Sequence, residues 1–290
     1  MAEVIRGDFP GVEERGGQPR LPLSIAALNL GPQPGAVEDN LGLAEREILR
    51  LRRRDPSLRY VVLPELFTCG YSDLVSVHRH AEDAVRGTGA RFFTDLAREL
   101  GVFVAYGFPE RGPLAAVFNS ANLVGPEGVL ATYRKRNLVE TTPEHRAFAA
   151  GSDLPVVEAG GLRVALAVCW DLGFPEVARE GAARGAELVL APAAWREPWG
   201  SQYALSCAAR ALDSGIYLAS ANQLGDYPEA RFGAAGHIFG PDGMRLSRRV
   251  GAASVARLDP EAPEAWRRSY GDTLAGHAPV VGIEEGSLVS

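Results

Sequence analysis

Two short segments of the chain are apolar at every position, and they restrict the possible folds more than any other feature. Residues 164–168 read VALAV, and residues 188–191 read LVLA. A strand with one face in water alternates apolar and polar residues, whereas a strand covered on both faces is apolar throughout. The pattern therefore predicts strands that are covered on both faces by other layers of structure.

Further β-rich segments alternate with helical stretches along the chain. Strands are predicted at residues 23–30, 60–63, 102–107, 120–124, 163–168, 187–191, 215–221, 236–239 and 254–258. Strands that alternate with helices are typical of α/β proteins.

Three helices are predicted between these strands. One runs from Thr88 to a stop at Gly101, and one begins near Pro175. Another runs from an N-cap at Ser201 to a stop at Gly215. The buried face of this last helix is expected to carry Ala204, Leu205, Ala208, Ala211 and Leu212.

Two hairpins are predicted, which makes the sheet arrangement mixed. Residues 120–124 and 129–133 flank the turn Pro-Glu-Gly, and residues 236–239 and 244–246 flank the similar turn Pro-Asp-Gly. Two α/β halves, each with its own hairpin, would explain both copies.

The composition is that of a globular protein with a large core. Of the 290 residues, 46% are hydrophobic, and the mean hydropathy is -0.05. The net charge of -6 and the shortness of the basic clusters argue against nucleic acid as a main partner. No apolar run approaches the roughly 20 residues that cross a bilayer, so no membrane partner is expected.

The three cysteines, Cys69, Cys169 and Cys207, are odd in number and widely separated. This usage predicts reduced thiols and a cytoplasmic location, and no pair has the spacing of zinc ligands. Residues 1–20 are polar and Gly-rich, and they are expected to form a flexible N-terminal extension. Residues 21–290 are expected to form a single domain.

Three of the predicted strands lead directly into chemically interesting side chains: Glu65, Cys169 and Trp195. Functional groups in open α/β sheets collect just past the carboxyl ends of strands. A lone cysteine behind a strand is most often a small buried hydrophobe, and a lone glutamate is as often structural as catalytic. The three positions together therefore carry more weight than any one of them.

Cys169 is followed by a sharp turn, which would expose its thiol and point backbone N–H groups at a developing oxyanion. Free cysteine at neutral pH is only a few per cent thiolate, so it needs a base or a cation. Glu65 would supply the base, since burial raises the pKa of a carboxyl group. Lys135, the only lysine among 30 basic residues, would supply the cation.

At this point the residues match a family. Residues 63–71 (LPELFTCGY), 133–135 (YRK) and 168–176 (VCWDLGFPE) occur in the order and spacing of motifs in the carbon–nitrogen hydrolase (nitrilase) superfamily, and the chain closely resembles that family from about residue 21 onward. The resemblance implies an α/β fold that is an α-β-β-α four-layer sandwich with two mixed β-sheets.

The same resemblance implies a Glu65-Lys135-Cys169 catalytic set that hydrolyses a non-peptide C–N bond through a thioester acyl-enzyme. Glu144 fits the position of a second glutamate that family members often carry. The backbone at Trp170 would help to hold the oxyanion. Tyr71 and Trp195 are further candidates for substrate binding. No metal and no cofactor are implied, and homodimers or larger homo-oligomers are usual.

Some positions depart from the family pattern. Asn137 stands where many members have His, a position expected to play a supporting role. Asp171 follows Cys169-Trp170 where true nitrilases typically have Glu, which favours an amide or N-carbamoyl compound over a nitrile. No arginine follows the nucleophile closely, although Arg196 could hold a substrate carboxylate or lie at the surface.

Three other functions stay open. The chain could be a nitrilase acting on a nitrile, or a nitrilase-fold protein that binds ligands without catalysis. It could also be a Cys-His hydrolase that pairs Cys169 with His145 or His237, but that function would leave Glu65 and Lys135 unexplained. The favoured prediction is an amidase or carbamoyl amidohydrolase that releases ammonia.

Overall fold

Two mixed β-sheets lie face to face at the centre of the structure, a computed structural model that describes residues 22–274. The predicted extension of residues 1–20 lies outside the described residues. No helix within the described range is both long and apolar enough to cross a membrane.

The first sheet has seven strands, and their spatial order differs from their order in the chain. From edge to edge they are β13 (Arg248–Val250), β14 (Ala253–Leu258), β1 (Leu23–Leu28), β2 (Leu58–Val62), β3 (Phe103–Arg111), β4 (Val117–Gly125) and β5 (Gly128–Arg134). The central strands β1, β2 and β3 are parallel, and the remaining pairs are antiparallel.

The second sheet has five strands and repeats this arrangement of a parallel centre with antiparallel edges. Its order is β12 (Ile238–Phe239), β9 (Tyr217–Asn222), β8 (Leu188–Ala193), β7 (Leu162–Leu166) and β6 (Val156–Ala159). A separate two-stranded hairpin joins β10 (Gly225–Asp226) to β11 (Arg231–Phe232).

Helices cover the outer faces of both sheets. The helices α1 (Val37–Arg54) and α2 (Thr88–Leu100) pack on the first sheet, and α4 (Pro175–Ala183) and α5 (Gly200–Ser214) pack on the second. Two shorter helices are α3 (Glu144–Ala147) and α6 (Ala262–Tyr270).

Strand β1 shows why the sequence folds into layers. Its alternate residues Ile25 and Ala27 face the second sheet, while Ala26 and Leu28 face the helices, and all four are fully buried. Burial on both faces requires apolar residues at every position. The predicted four-layer α-β-β-α sandwich is therefore confirmed.

Most of the predicted elements are present. Each of the nine predicted strands overlaps an observed one, and the hairpin of β4 and β5 forms as expected. Helix α2 ends at Gly101, which adopts the left-handed conformation with φ of 65°. Helix α4 begins at Pro175.

The second predicted hairpin forms only in part. Residues 244–246 form no strand, but they meet β12 through an antiparallel bridge between Phe239 and Arg245 and two backbone hydrogen bonds. The N–H of Ile238 donates to the Ser247 hydroxyl rather than to a backbone carbonyl. Strand β12 also pairs with β9, and β13 forms a hairpin with β14. Strands β6, β10, β11 and β13 were not predicted.

The prediction for α5 needs two corrections. The helix begins at Gly200 rather than after an N-cap at Ser201, and no side chain caps its first turn. Its buried face carries Tyr203, Cys207 and Ala211, whereas Leu205 is 69% exposed. Apolar residues lie on two faces of this helix in the sequence. The face with Tyr203 is the buried one, and there the Tyr203 hydroxyl forms a hydrogen bond with Ser220.

Candidate active site

Glu65 lies directly after β2, in a turn that the neighbouring strands hold in place. Its backbone N–H donates to Ala193 O at the end of β8 (3.2 Å), which links the two sheets at this point. The next residue, Leu66, has φ of 46°, a conformation that L-residues rarely adopt. Glu65 is fully buried. The fold therefore holds a carboxylate in a strained turn away from water.

Lys135 follows β5 and is pinned on both sides of its backbone. Its N–H donates to Asn119 O (2.8 Å), and its carbonyl accepts the N–H of Gly151 (2.9 Å). Its ammonium lies 2.8 Å from Glu65 Oε1 and 2.6 Å from Glu144 Oε1. The structure thus brings three of the predicted residues into one buried cluster.

Glu144 is the first residue of α3, and both its carboxylate oxygens are occupied. Oε1 accepts from Lys135, and Oε2 accepts the backbone N–H of Val139 (3.0 Å). The Asn119 amide nitrogen also donates to Oε1 of Glu144 (2.8 Å) and to Oε1 of Glu65 (2.7 Å). Asn119 was not predicted as a site residue.

Cys169 begins the 3₁₀ turn Cys169–Gly173, at the carboxyl end of the strand β7. Its φ of 47° is again strained, which re-aims the side chain at the end of the strand. Cys169 is only 6% exposed. Burial and the charge of Glu65 raise the pKa of the Cys169 thiol well above its ordinary value, while Lys135 opposes the shift. The resting group is therefore a thiol, and it needs a base.

The pKa values of Glu65 and Lys135 are shifted as well. Burial raises the pKa of Glu65 above its ordinary value, Lys135 lowers it and Glu144 raises it. Burial lowers the pKa of Lys135, but the charges of Glu144 and Glu65 outweigh that effect and hold it well above the ordinary value. Lys135 is thus a permanent cation, and Glu65 is a carboxylate that accepts a proton more readily than one in water.

Asp171 ties the cysteine turn to the lysine segment. Its Oδ2 accepts the N–H of Val168 (3.0 Å) and the hydroxyl of Tyr133 (2.9 Å). Its Oδ1 accepts both the backbone N–H and the side-chain amide of Asn137, each at 2.9 Å. Asn137 therefore has the supporting position expected for it. Asp171 is buried, and both its carboxylate oxygens are taken up by these bonds.

Aromatic side chains surround the approach to the thiol. Trp170 is 38% exposed, and its ring centroid lies 5.4 Å from that of Trp195. Trp195 in turn stacks on Tyr203 at 5.3 Å. Tyr71 is half-buried, and its pKa is raised well above the ordinary value by burial and by the charge of Glu144. Tyr71 therefore lies within electrostatic reach of the cluster.

Three loops that are distant in sequence meet beside these aromatic side chains. Gln223 bonds both the backbone N–H (2.9 Å) and the carbonyl (3.2 Å) of Tyr71. The Ser72 hydroxyl donates to Glu229 (2.7 Å), and the N–H of Glu197 donates to the carbonyl of Arg231 (2.8 Å). The loops around residues 71–72, 195–199 and 223–233 thus form one surface next to the site.

Three other predicted candidates do not join the cluster. The His145 ring bonds to Thr142 O, and the His237 ring lies near Ser247 and Ser254. The guanidinium of Arg196 makes no hydrogen bond or ion pair with a site residue within residues 22–274. Over the same range, no three His, Cys, Asp or Glu side chains are grouped as metal ligands.

The sequence carries a signal for the two residues that were missed. Asn119 is a buried amide on β4, one residue before the start of the predicted strand, and Ser120 and Asn122 are further buried polar residues of that strand. Asp171 was considered only as a marker of substrate type. A polar side chain at a position expected to be buried must find partners, and that requirement could have singled out both.

The chain is similar in sequence and in fold to known nitrilases and amidases. The chain is 32% identical over 223 residues to a probable nitrilase, C965.09, of Schizosaccharomyces pombe, covering 76% of this chain and 81% of the relative. An (R)-stereoselective amidase of a Pseudomonas species is 30% identical over 213 residues, covering 72% and 76%. The crystal structure of an amidase from a Nesterenkonia species is 29% identical with a TM-score of 0.73, covering 86% of this chain and 94% of that one.

The family profile described as carbon-nitrogen hydrolase matches residues 24–268. This match spans both sheets and every residue of the buried cluster. The protein therefore belongs to the carbon–nitrogen hydrolase family, within the nitrilase superfamily.

Proposed function

We propose that the protein is an amidase that hydrolyses a primary amide or an N-carbamoyl compound and releases ammonia. The observation that carries the proposal is the buried cluster of Glu65, Lys135 and Glu144 beside the strained turn of Cys169. Together, Glu65 supplies a base, Lys135 a fixed cation and Cys169 a nucleophile, and all three side chains are shielded from water.

The proposed reaction begins at the thiol. Glu65 takes the proton of Cys169 as the sulfur attacks the carbonyl carbon, and the carbonyl oxygen becomes an oxyanion. Lys135 and the backbone N–H of Trp170 hold this oxyanion. The C–N bond then breaks, and Glu65 passes its proton to the leaving ammonia, which leaves a thioester on Cys169.

Water completes the cycle. Glu65 removes a proton from a water molecule, which attacks the thioester carbon, and the C–S bond breaks to release the acid. The proton returns to the sulfur, so the thiol and the carboxylate are restored. Glu144 stays bonded to Lys135, Asn119 and Val139 and holds the ammonium in place.

Relatives support an amide substrate and keep a second candidate open. One relative is an (R)-stereoselective amidase. A variant of the Nesterenkonia amidase in which one glutamate is replaced by glutamine carries covalent adducts at its active-site cysteine, one from Michael addition of acrylamide and one with the acetamide moiety of fluoroacetamide. The Schizosaccharomyces pombe relative is a probable nitrilase, so nitrile hydrolysis is the second candidate.

Ammonia release from a panel of primary amides, N-carbamoyl amines, N-carbamoyl amino acids and nitriles tests the proposal. We expect one amide or carbamoyl class to turn over, and we expect Cys169→Ala and Lys135→Arg to lose at least about 10²-fold of that activity. Separate His145→Ala and His237→Ala variants serve as controls and should stay active. Full activity in Cys169→Ala would refute the mechanism, and turnover of nitriles alone would select the second candidate.

We also propose that the chain acts in the cytoplasm as a homodimer or larger homo-oligomer. The three free cysteines, all buried, are consistent with reduced thiols. The outer face of α5 exposes Leu205 and Leu212 beside the exposed Met244, and none of these side chains is charged. Mass measurement by light scattering tests self-association, and a monomer at all concentrations would contradict it.

A further inference from the structure

We propose that Asn119 is a positioning residue that holds Oε1 of Glu65 and Oε1 of Glu144 beside Lys135 and so leaves Oε2 of Glu65 to act as the base. The proposal rests on the proposed function, in which Glu65 is the base and Lys135 the cation. Asn119 lies on β4, is fully buried and has its backbone carbonyl bonded to the N–H of Lys135. It therefore touches the cluster through both its main chain and its side chain.

The side-chain contacts are directed at one oxygen of each glutamate. The Asn119 amide nitrogen donates to Glu65 Oε1 at 2.7 Å and to Glu144 Oε1 at 2.8 Å. These are the same two oxygens that the Lys135 ammonium contacts, at 2.8 Å and 2.6 Å. Each Oε1 thus accepts two bonds, one from a cation and one from a neutral amide.

The remaining two oxygens differ, and this difference separates the roles. Oε2 of Glu144 accepts the N–H of Val139, so that carboxylate is fully bonded. Oε2 of Glu65 has no hydrogen-bond partner among residues 22–274, although it is buried. With Oε1 of Glu65 held by Asn119 and Lys135, Oε2 is the oxygen available to the Cys169 proton.

The amide of Asn119 has only one acceptable orientation. If the amide group were rotated by 180°, its oxygen would face the carboxylate oxygens of Glu65 and Glu144, and it would repel both. In the observed orientation, its own Oδ1 is buried without a partner in the described part of the chain. A buried unpaired carbonyl is unfavourable, and two bonds to charged acceptors offset that cost. The fold thus maintains a locally unfavourable group in order to keep the amide nitrogen on the glutamates.

Removal of this donor has a defined effect on titration. A hydrogen bond donated to a carboxylate favours its ionised form. Without Asn119, the pKa of Glu65 would be higher. At each pH near or below that pKa, a smaller fraction of the enzyme would have Glu65 ionised and able to act as a base. The acid limb of the rate profile should therefore move to higher pH when Asn119 is replaced. If Asn119 only stabilised the fold, its replacement would leave the position of that limb unchanged.

The test measures alkylation of Cys169 by iodoacetamide as a function of pH, with mass spectrometry of the Cys169 peptide. In Asn119→Ala, we expect the acid limb of the alkylation rate to move up by about one pH unit. In Asn119→Asp, which has the same shape but adds a third carboxyl group, we expect a larger upward shift. Amide hydrolysis measured in parallel should show the same displacement in kcat/KM.

Asn122→Ala is the matched control. Asn122 is a fully buried asparagine on the same strand, but it bonds Ala84 O, Tyr106 and Thr132 rather than the glutamates. We expect it to lower the melting temperature and to leave the acid limb unchanged. If Asn119→Ala does not fold, Asn119→Ser takes its place, with a smaller upward shift because one hydroxyl reaches only one glutamate.

An unchanged acid limb in the folded Asn119 variant would overturn the proposal, as would an equal shift in Asn122→Ala. The alkylation profile needs no turnover, so it decides the role of Asn119 even if every amide in the substrate panel is inert. Failure of the proposed function and failure of this inference are therefore distinguishable.

Discussion

A carboxyl group that is buried next to a second carboxylate keeps its proton to a higher pH than one in water. Burial and Glu144 raise the pKa of Glu65 above its ordinary value of 4.5, with Lys135 opposing. The proposed mechanism needs Glu65 ionised before attack. Activity is therefore present above the raised pKa and is lost as the pH falls through it.

We predict that kcat/KM falls on the acid side with a midpoint above pH 4.5, the ordinary pKa of a glutamate. We also predict that Glu65→Gln reduces kcat by roughly 10²- to 10⁴-fold. Glu180→Gln is the control, since Glu180 is partly exposed and pairs with Arg136 and Arg184 on the surface. The pH-rate profile of the purified proteins checks both statements. An acid limb that lies below 4.5 would contradict the role of Glu65.

The sequence could single out Glu65 and Cys169 because each follows an apolar strand, and Lys135 because it is the only lysine among 30 basic residues. Each of the three also has a type of side chain that the chemistry requires. Asn119 and Asp171 could not be ranked in the same way. Their importance depends on which groups face them in the folded chain. Those groups belong to Glu65 and Glu144 for Asn119, and to Val168, Tyr133 and Asn137 for Asp171. Such convergence is a property of the folded chain.

At the scale of elements, the ends of strands position the reacting groups, and close contact between backbones fixes those ends. Gly107 of β3 donates its N–H to Pro64 O and accepts from the N–H of Thr68, so it brackets the Glu65 turn. A Cβ atom at this position would lie 2.4 Å from Leu66 N and 2.7 Å from the Cα of Glu65. Backbone atoms cannot yield as a flexible side chain would.

We predict that Gly107→Ala displaces the Glu65 turn and destabilises the fold by about 1–3 kcal/mol through overpacking. Displacement of the base should lower kcat by about 10²-fold in the protein that still folds. Gly42→Ala on α1 is the control, because a Cβ there meets only the end of Arg46 at 3.4 Å. Equal kinetics in the two variants would show that the close contact does not position Glu65.

The apolar strands were predictable from sequence because burial on both faces leaves a continuous apolar run. The exposed face of α5 was not, since Leu205 and Tyr203 are both compatible with a core. Local pattern identifies an amphipathic helix, but the contact with Ser220 on β9 decides which face turns inward.

At the scale of the whole molecule, a pair of buried asparagines joins the two sheets near the site. Asn29, just after β1, accepts the backbone N–H groups of Asn222 (2.9 Å) and Gly236 (2.7 Å). Asn222, at the end of β9, accepts the N–H of Trp195 (2.6 Å) and donates to its carbonyl (3.0 Å). The junction between the sheets thus also fixes the segment that carries Trp195.

We predict that Asn29→Ala lowers the apparent melting temperature by roughly 5 °C or more, because two buried N–H groups lose their acceptor at about 1–3 kcal/mol each. Ser254→Ala removes a donor to Gly236 O (2.8 Å) and two longer contacts, with the Asn29 amide (3.4 Å) and the His237 ring (3.5 Å). It leaves the acceptor of the two backbone N–H groups in place, so it should cost less than half as much. Differential scanning calorimetry measures both changes. An equal fall in melting temperature in the two variants would show that Asn29 contributes no more to stability than its neighbour Ser254.

The three loops beside the site can vary without disturbing the reacting groups. The reacting groups come from strand ends that are buried and multiply bonded, whereas Ser72, Arg196 and Glu229 lie on loops that those bonds do not constrain. A combinatorial library at these three positions therefore changes the surface next to the site, while every clone keeps the buried cluster of Glu65, Lys135 and Glu144.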